Sequence, residues 1–335
     1  MASILCPKLA LLAAICAVLV SLPSRVLATF PFYFQLPLPS GTAGSVDIVF
    51  NFQNDGPFTG ISDGTVVVFN PLSFGFVQFA TVVPNRDQTL CNGKNDPALY
   101  IQCGRPVSLG FNQSNYLYIG DANLGLFVVG PNGGLATPLI STVDGLPIGS
   151  LFGLDVDPNN ELVYFTSFSQ IYRLNNLSLA IGSGDRTGRL IRYDPATGTA
   201  TTLLRNLAGP SGVAVCADSS CVIYVEKLSN TVSKLYLTGP NAGTVTVLLT
   251  NVINPDIINR SPSVGTNFFL SENIQPFVQY ALRIDVNGNI LKNISIDGPY
   301  NSVMDVTGVT QFFALDFYFG SLTATFVGKA IFYAL

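Results

Sequence analysis

The chain has 335 residues and a formal net charge of −4, and only 11% of its residues are Asp, Glu, Lys or Arg. That acidic, charge-poor balance excludes nucleic acid as a partner, because such binding depends on clustered Lys and Arg. The chain contains no His, which removes an imidazole base, a Ser-His-Asp triad and a His-based zinc site.

At the N-terminus Lys8 precedes an apolar run from Leu9 to Leu22, and Val26-Leu27-Ala28 follows as a small-residue cleavage pattern. The run is about 14 residues, short of the ~20 that span a bilayer. Residues 1–28 are therefore expected to be a cleaved secretory signal rather than a membrane anchor, with residues 29–335 as one domain. Cleavage removes Lys8 and Arg25 and no acid, so the mature chain is more acidic still. Three sequons, at Asn112, Asn176 and Asn293, fit a glycosylated secretory product, while Asn259-Arg-Ser is followed by Pro262 and is a poor acceptor.

After a strand around Phe32–Leu38, one apolar run recurs six times, each time ending near a marked position. The copies are FTGISD (Asp63), YLYIGD (Asp121), LVYFTS (Ser167), VIYVEK (Lys227), NFFLSE (Glu272) and QFFALD (Asp316). The spacing is about 45 residues, with two intervals longer by about a dozen, and a several-stranded repeat of that period is a propeller blade. Further strands follow in most units, separated by Gly-rich turns such as GPNGG, DPATG and GPNAG. The stretch Gly188–Leu228 shows the pattern most clearly, with strands at Arg189–Tyr193, Thr199–Leu204, Gly212–Cys216 and Val222–Glu226. The expected fold is all-β, a six-bladed β-propeller, in which Phe32–Leu38 can supply the outer strand of the last blade. The two surplus stretches, Asn85–Cys103 and Ser167–Asp185, are expected as lid-like insertions over one mouth of the channel. The second has helical spacing at Leu174, Leu177, Ala180 and Ile181.

Cys6 and Cys16 leave with the signal, and four cysteines remain. An even count in an oxidising compartment favours disulfides over metal ligands. By spacing, Cys91 pairs with Cys103, and Cys216 faces Cys221 across a hairpin; the alternative for the latter is two buried thiols.

No G-x-S-x-G elbow or phosphate-binding loop is present, so the available chemistry is that of carboxylates, Lys, Tyr and amides near the channel. Lys227 is a candidate Schiff-base amine or proton carrier; the alternative is an ion pair with Glu226 or another rim acid. Glu226 reads as an acceptor at a strand end, and Asp63, Asp121 and Asp316 as turn caps.

Several stretches in combination resemble the strictosidine synthase family of plants: CGRP at 103–106, LYIGDA at 117–122, VVGPNGGLATPL at 128–139, DGLP at 144–147, VYFT at 163–166, TGRLIRYDPATG at 187–198 and LTGPNAGT at 237–244. The resemblance covers about residue 40 to the C-terminus. It implies a six-bladed propeller of the secretory or vacuolar route, related to the gluconolactonase and paraoxonase propellers. It also implies a Pictet-Spengler site, in which amine and aldehyde give an iminium and a glutamate removes the final proton. Aligning the family's last-blade turn with Val306–Phe313 puts Asn301 at the glutamate position, and an amide cannot accept that proton. Asp297 and Asp305 lie four residues to either side. Where the family has a bulky aromatic, this chain has Ser150 followed by Phe152, with Phe168 as further candidate lining, and it has no Trp. The calcium ligands of the lactonase relatives map to Val46, Gly153, Ser211 and Asp256, where only the Asp persists, so no metal cofactor is expected.

These readings converge on a strictosidine synthase-like protein of specialised metabolism that binds a small molecule at the channel mouth and acts on an amine or imine, without being strictosidine synthase itself. The alternatives are a non-catalytic secreted propeller used for binding or defence, and a metal-dependent lactonase or esterase.

Overall fold

The computed structural model describes residues 31–261, 266–275, 278–296, 298, 300 and 305–332; the proposed signal segment lies outside them. The strands form six four-stranded antiparallel blades of a β-propeller, numbered here in chain order. Each blade begins with an inner strand: Ile48–Val49, Pro106–Phe111, Leu151–Val156, Pro210–Val215, Ile258–Arg260 and Val309–Phe313. The second strands are Phe58–Gly60, Leu117–Asp121, Val163–Ser167, Cys221–Glu226, Asn267–Gln275 and Asp316–Phe319.

Blade 6 takes its third strand from Phe326–Ile331 and its outer strand from the other end of the chain, Phe32–Pro37, which pairs antiparallel from Phe32↔Ile331 to Pro37↔Phe326. Blade 1 gains an extra edge: Gly134–Leu135 pairs in parallel with its outer strand, Gly75–Thr81.

Period-2 alternation sends neighbouring side chains of one strand into two different blade interfaces. Tyr164 packs towards blade 4 with Val213 and Tyr224, whereas Val163 and Phe165 on either side of it pack towards blade 2 with Tyr118 and Leu126. Every junction between successive blades holds one such apolar cluster, including the junction of blade 6 with blade 1. Near the axis the inner strands approach so closely that only glycine fits. A Cβ on Gly153 would stand 2.2 Å from the Ser211 carbonyl oxygen, and one on Gly212 would stand 2.5 Å from the Ile258 amide nitrogen.

Both disulfides form as the spacing predicts, Cys91–Cys103 and Cys216–Cys221, with Cα atoms 5.6 and 5.2 Å apart. The first staples an insertion holding the short helices Gln88–Cys91 and Tyr100–Cys103. The other insertion carries the helix Leu177–Ser183, closed by Gly184 in the left-handed conformation. Of its predicted apolar face, Leu174 and Ala180 are buried, whereas Ile181 is exposed.

The sixth copy of the repeat needs correction. QFFALD is not a second strand: Gln311–Phe313 ends the inner strand of blade 6, Ala314-Leu315 makes the turn, and the second strand starts at Asp316. Asp316 is also not a turn cap but pairs with Lys329 at 3.1 Å. Asp63 and Asp121 do cap turns, accepting from the amides of Thr65 and of Asn123 and Leu124.

Candidate functional site

The first insertion enters blade 2 at Pro106, opposite Asp121, and the second leaves blade 3 at Ser167, opposite Leu151. Both therefore sit at the end of the axis where the inner strands begin. There they close over one apolar cluster, with Tyr100 from the first, Leu174 and Ala180 from the second, and Val46, Phe152 and Ile257 from three blades. Phe168 belongs to the same cluster, its ring 5.7 Å from that of Phe152. Ser150 lies beside them: its carbonyl accepts from the Phe168 amide at 2.7 Å, and its buried hydroxyl has no hydrogen-bond partner.

Lys227 and Asp256 border this cluster through their neighbours Leu228 and Ile257. Lys227 Nζ is 2.5 Å from Asp256 Oδ2, so the partner is a rim acid of the next blade and not the adjacent Glu226. Strand alternation turns Glu226 elsewhere, and its Oε2 accepts from the Ala208 amide at 2.7 Å as a structural acceptor. Asp305, from the connection into blade 6, feels the charge of Lys227 and bonds the Ser321 hydroxyl. Burial pushes both Asp256 and Asp305 above the ordinary carboxylate range, and Lys227 pulls both back. Asp256 Oδ1 and Asp305 Oδ1 have no hydrogen-bond partner. One ammonium thus pairs with Asp256 and lies near a second acid, Asp305.

The four positions that match calcium ligands in the lactonases do meet around the axis, but their donors do not fit that ion. Val46 O accepts from Thr307 Oγ1 at 2.8 Å, Ser211 Oγ donates to Asp256 O at 3.0 Å, Gly153 has no side chain, and Asp256 is held by Lys227. Among the described residues, no three His, Cys, Asp or Glu side chains converge.

Asn301 and Asp297 lie outside the described residues. Asp305 is the described acid of this connection that feels the charge of Lys227. Of the sequon residues, Asn176 and Asn293 are exposed, while Asn112 is buried with its carbonyl oxygen accepting from the Ser114 and Tyr116 amides.

Further along the channel, Asp47 ties three blades together. It accepts from the amides of Ile48 at 2.9 Å and Leu109 at 3.1 Å, and its Oδ1 lies 3.5 Å from Asn259 Nδ2. Burial, with a smaller push from Asp155, raises its pKa to about 6. The native state thus holds this proton more tightly than the unfolded chain, so the associated stability is full below pH 3.8 and lost as pH rises through about 6. Relative to Asp47→Asn, the wild type is expected to lose about 2 kcal/mol between pH 4 and pH 7 in urea unfolding. A difference that stays flat across that range would refute the assignment.

A family profile described as strictosidine synthase matches residues 153–240. Strictosidine synthase-like 12 of Arabidopsis thaliana is 35% identical over 315 residues, which cover 92% of this chain and 93% of that protein. Strictosidine synthase of Catharanthus roseus is 34% identical over 259 residues, covering 75% of this chain and 73% of that enzyme. Among solved structures, a candidate gluconolactonase superposes with a TM-score of 0.60 at 11% identity, over 93% of this chain and 97% of that one. The calcium-binding protein regucalcin of Agrobacterium tumefaciens superposes with a TM-score of 0.58 at 13% identity, over 90% and 95%. These two likenesses agree with the propeller built above, and the sequence relatives, matched over nearly the whole chain, go further: the chain belongs to the strictosidine synthase family.

Proposed function

We propose that this protein binds a small amine or imine beneath the two insertions and promotes a condensation or rearrangement there, as part of alkaloid-type specialised metabolism. The observation that carries this is the surplus of carboxylate: Asp256 pairs with Lys227, Asp305 lies near enough to feel the same charge, and one oxygen of each lacks a partner. A protonated amine supplies the missing positive charge and donors. Phe152 and Phe168 back this site from within the apolar cluster beneath it.

In this reading Asp305, raised by burial, accepts the proton that the amine gives up, and Lys227 holds Asp256 in place rather than acting as a free nucleophile. Orientation of two reactants in a closed site supplies much of the remaining acceleration. In this reading the protein is not strictosidine synthase itself, because the family's proton-acceptor position falls on Asn301, whose amide cannot accept that proton. The two disulfides support entry into the secretory pathway, for the vacuole or the extracellular space. A second reading, a non-catalytic binding propeller, is favoured by the tightness of the lidded cluster, where Phe152 and Phe168 are 2% and 1% exposed.

Thermal shift with tryptamine, phenethylamine and tyramine tests the site. At least one amine is expected to stabilise the wild type, and Asp305→Asn is expected to abolish that shift. Equal shifts in both proteins, or none in either, would overturn the amine site. Incubation with tryptamine and secologanin is expected to give no strictosidine by mass spectrometry, and its formation would refute the distinction from strictosidine synthase.

A further inference from the structure

The inner strands end at the face opposite the insertions, and there the channel opens into a cavity of about 430 Å³. Its wall comes from the far ends of five inner strands and the segments that follow them, including Phe52, Phe111, Asp155, Arg260 and Phe312. The volume is that of a site for a small molecule.

Two kinds of surface face each other in it. One is polar and held in place. Asp155 Oδ1 and Arg260 Nη2 are 3.5 Å apart, with side chains 21% and 20% exposed. Both are anchored to the same residue of blade 4: Asp155 Oδ2 accepts from the Val215 amide at 2.8 Å, and Arg260 Nη1 donates to the Val215 carbonyl at 3.1 Å. Beside them, Asn259 spends its amide nitrogen on Thr310 Oγ1 at 3.0 Å and Val309 O at 3.3 Å, which leaves its carbonyl oxygen as an acceptor. The other surface is aromatic. The Phe50 ring stacks on Phe312 with centroids 3.9 Å apart, and Phe52 stands 54% exposed at the rim.

We propose that this mouth is a second ligand site, shaped for a neutral polyhydroxylated ring such as a pyranose. The charges on Asp155 and Arg260 cancel locally, so a charged ligand gains little without breaking a pair that Val215 fixes in place. A hydroxylated ring need not break it. One hydroxyl accepts from the guanidinium while its neighbour donates to the carboxylate, and each hydroxyl can do both. The C–H face of such a ring then lies against the exposed face of Phe52 or the Phe50–Phe312 stack. Unlike the lidded end, this mouth is open and its two charged lining side chains, Asp155 and Arg260, pair with each other, so the two ends select different chemistry.

Saturation-transfer NMR on the full chain with methyl glucopyranoside, methyl galactopyranoside and maltose tests the proposal, at dissociation constants in the millimolar range, about −4 kcal/mol. At least one pyranoside is expected to bind the wild type. Phe52→Ala, which touches an exposed rim residue and leaves the fold intact, and Arg260→Lys are each expected to weaken it at least about tenfold, consistent with loss of one stacked face or one forked donor. Asp305→Asn is expected to leave pyranoside binding unchanged, which separates this site from the amine site at the other end. No transfer to any pyranoside, or transfer unchanged in both Phe52→Ala and Arg260→Lys, would overturn the proposal. So would Phe52-dependent binding of tryptamine in place of the sugars, since that would make the mouth an aromatic-amine site.

Discussion

Lys227→Met unfolds with a free energy about 3–5 kcal/mol below that of the wild type at pH 7, as expected when one partner of a buried ion pair is removed. The size follows from what the substitution leaves behind. Asp256 has a side chain only 2% exposed, one oxygen already lacks a partner, and the 2.5 Å contact to Lys227 is what compensates its charge. Asp305 nearby is a second acid that makes matters worse. Without the ammonium, Asp256 takes up a proton to fold, so the loss shrinks towards pH 4 and grows towards pH 8. Lys227→Met/Asp256→Asn is expected to recover the larger part of the loss, because the stranded charge is gone. Urea unfolding at three pH values measures all of this. A loss below about 1 kcal/mol, typical of an exposed pair, would show that the contact is not a buried ion pair.

Deleting residues 31–37 has an effect of comparable size by a different route. The strand Phe32–Pro37 is mostly exposed, so its contribution rests on the antiparallel ladder to Phe326–Ile331 and on two anchors. Leu36 packs into the junction of blades 6 and 1, and Tyr33 packs into the junction of blades 5 and 6. Six paired positions at about 1 kcal/mol net per hydrogen bond amount to roughly 5 kcal/mol, against a total stability of about 5–15 kcal/mol. Calorimetry is expected to show a melting point at least about 10 °C lower. Size-exclusion chromatography is expected to show self-association through the bared edge of Phe326–Ile331. A peptide spanning residues 31–38, added in trans, restores the monomer. A truncated chain that melts within a few degrees of the full one would mean that the ring does not depend on this closure.

Five of the six blades were legible because their hairpins carry Gly, Pro, Asn or Asp at the turns and their strands alternate. Gly188–Leu228 divides as expected, its strands extending to Gly188–Asp194, Thr199–Leu207, Pro210–Val215 and Cys221–Glu226. Blade 6 misled because Ala314-Leu315 is a turn without a turn residue. Phe312-Phe313-Ala314-Leu315-Asp316-Phe317 reads as one apolar strand, and the bond from Gln311 Nε2 to the Ala314 carbonyl that steadies the reversal leaves no periodic signal. Disulfide spacing is local and was readable. The Lys227–Asp256 pair joins residues in different blades, and Glu226, next in sequence, looked the nearer partner until alternation placed it on another face. The open mouth was invisible for the same reason, since Phe52, Asp155, Arg260 and Phe312 come together only when the ring closes.

The shared sixth blade also sets the order in which the protein can be finished. Phe32–Pro37 leaves the ribosome about 290 residues before Phe326–Ile331, on which it pairs. At about 5–20 residues per second, the early strand waits some 15–60 s for its site to exist. Five blades can stack in sequence during that interval, each against the one before, but the round structure is completed only once Phe326–Ile331 has emerged. Until then the nascent chain is an open arc with a strand edge at each end, and those edges must be kept from meeting a neighbour's.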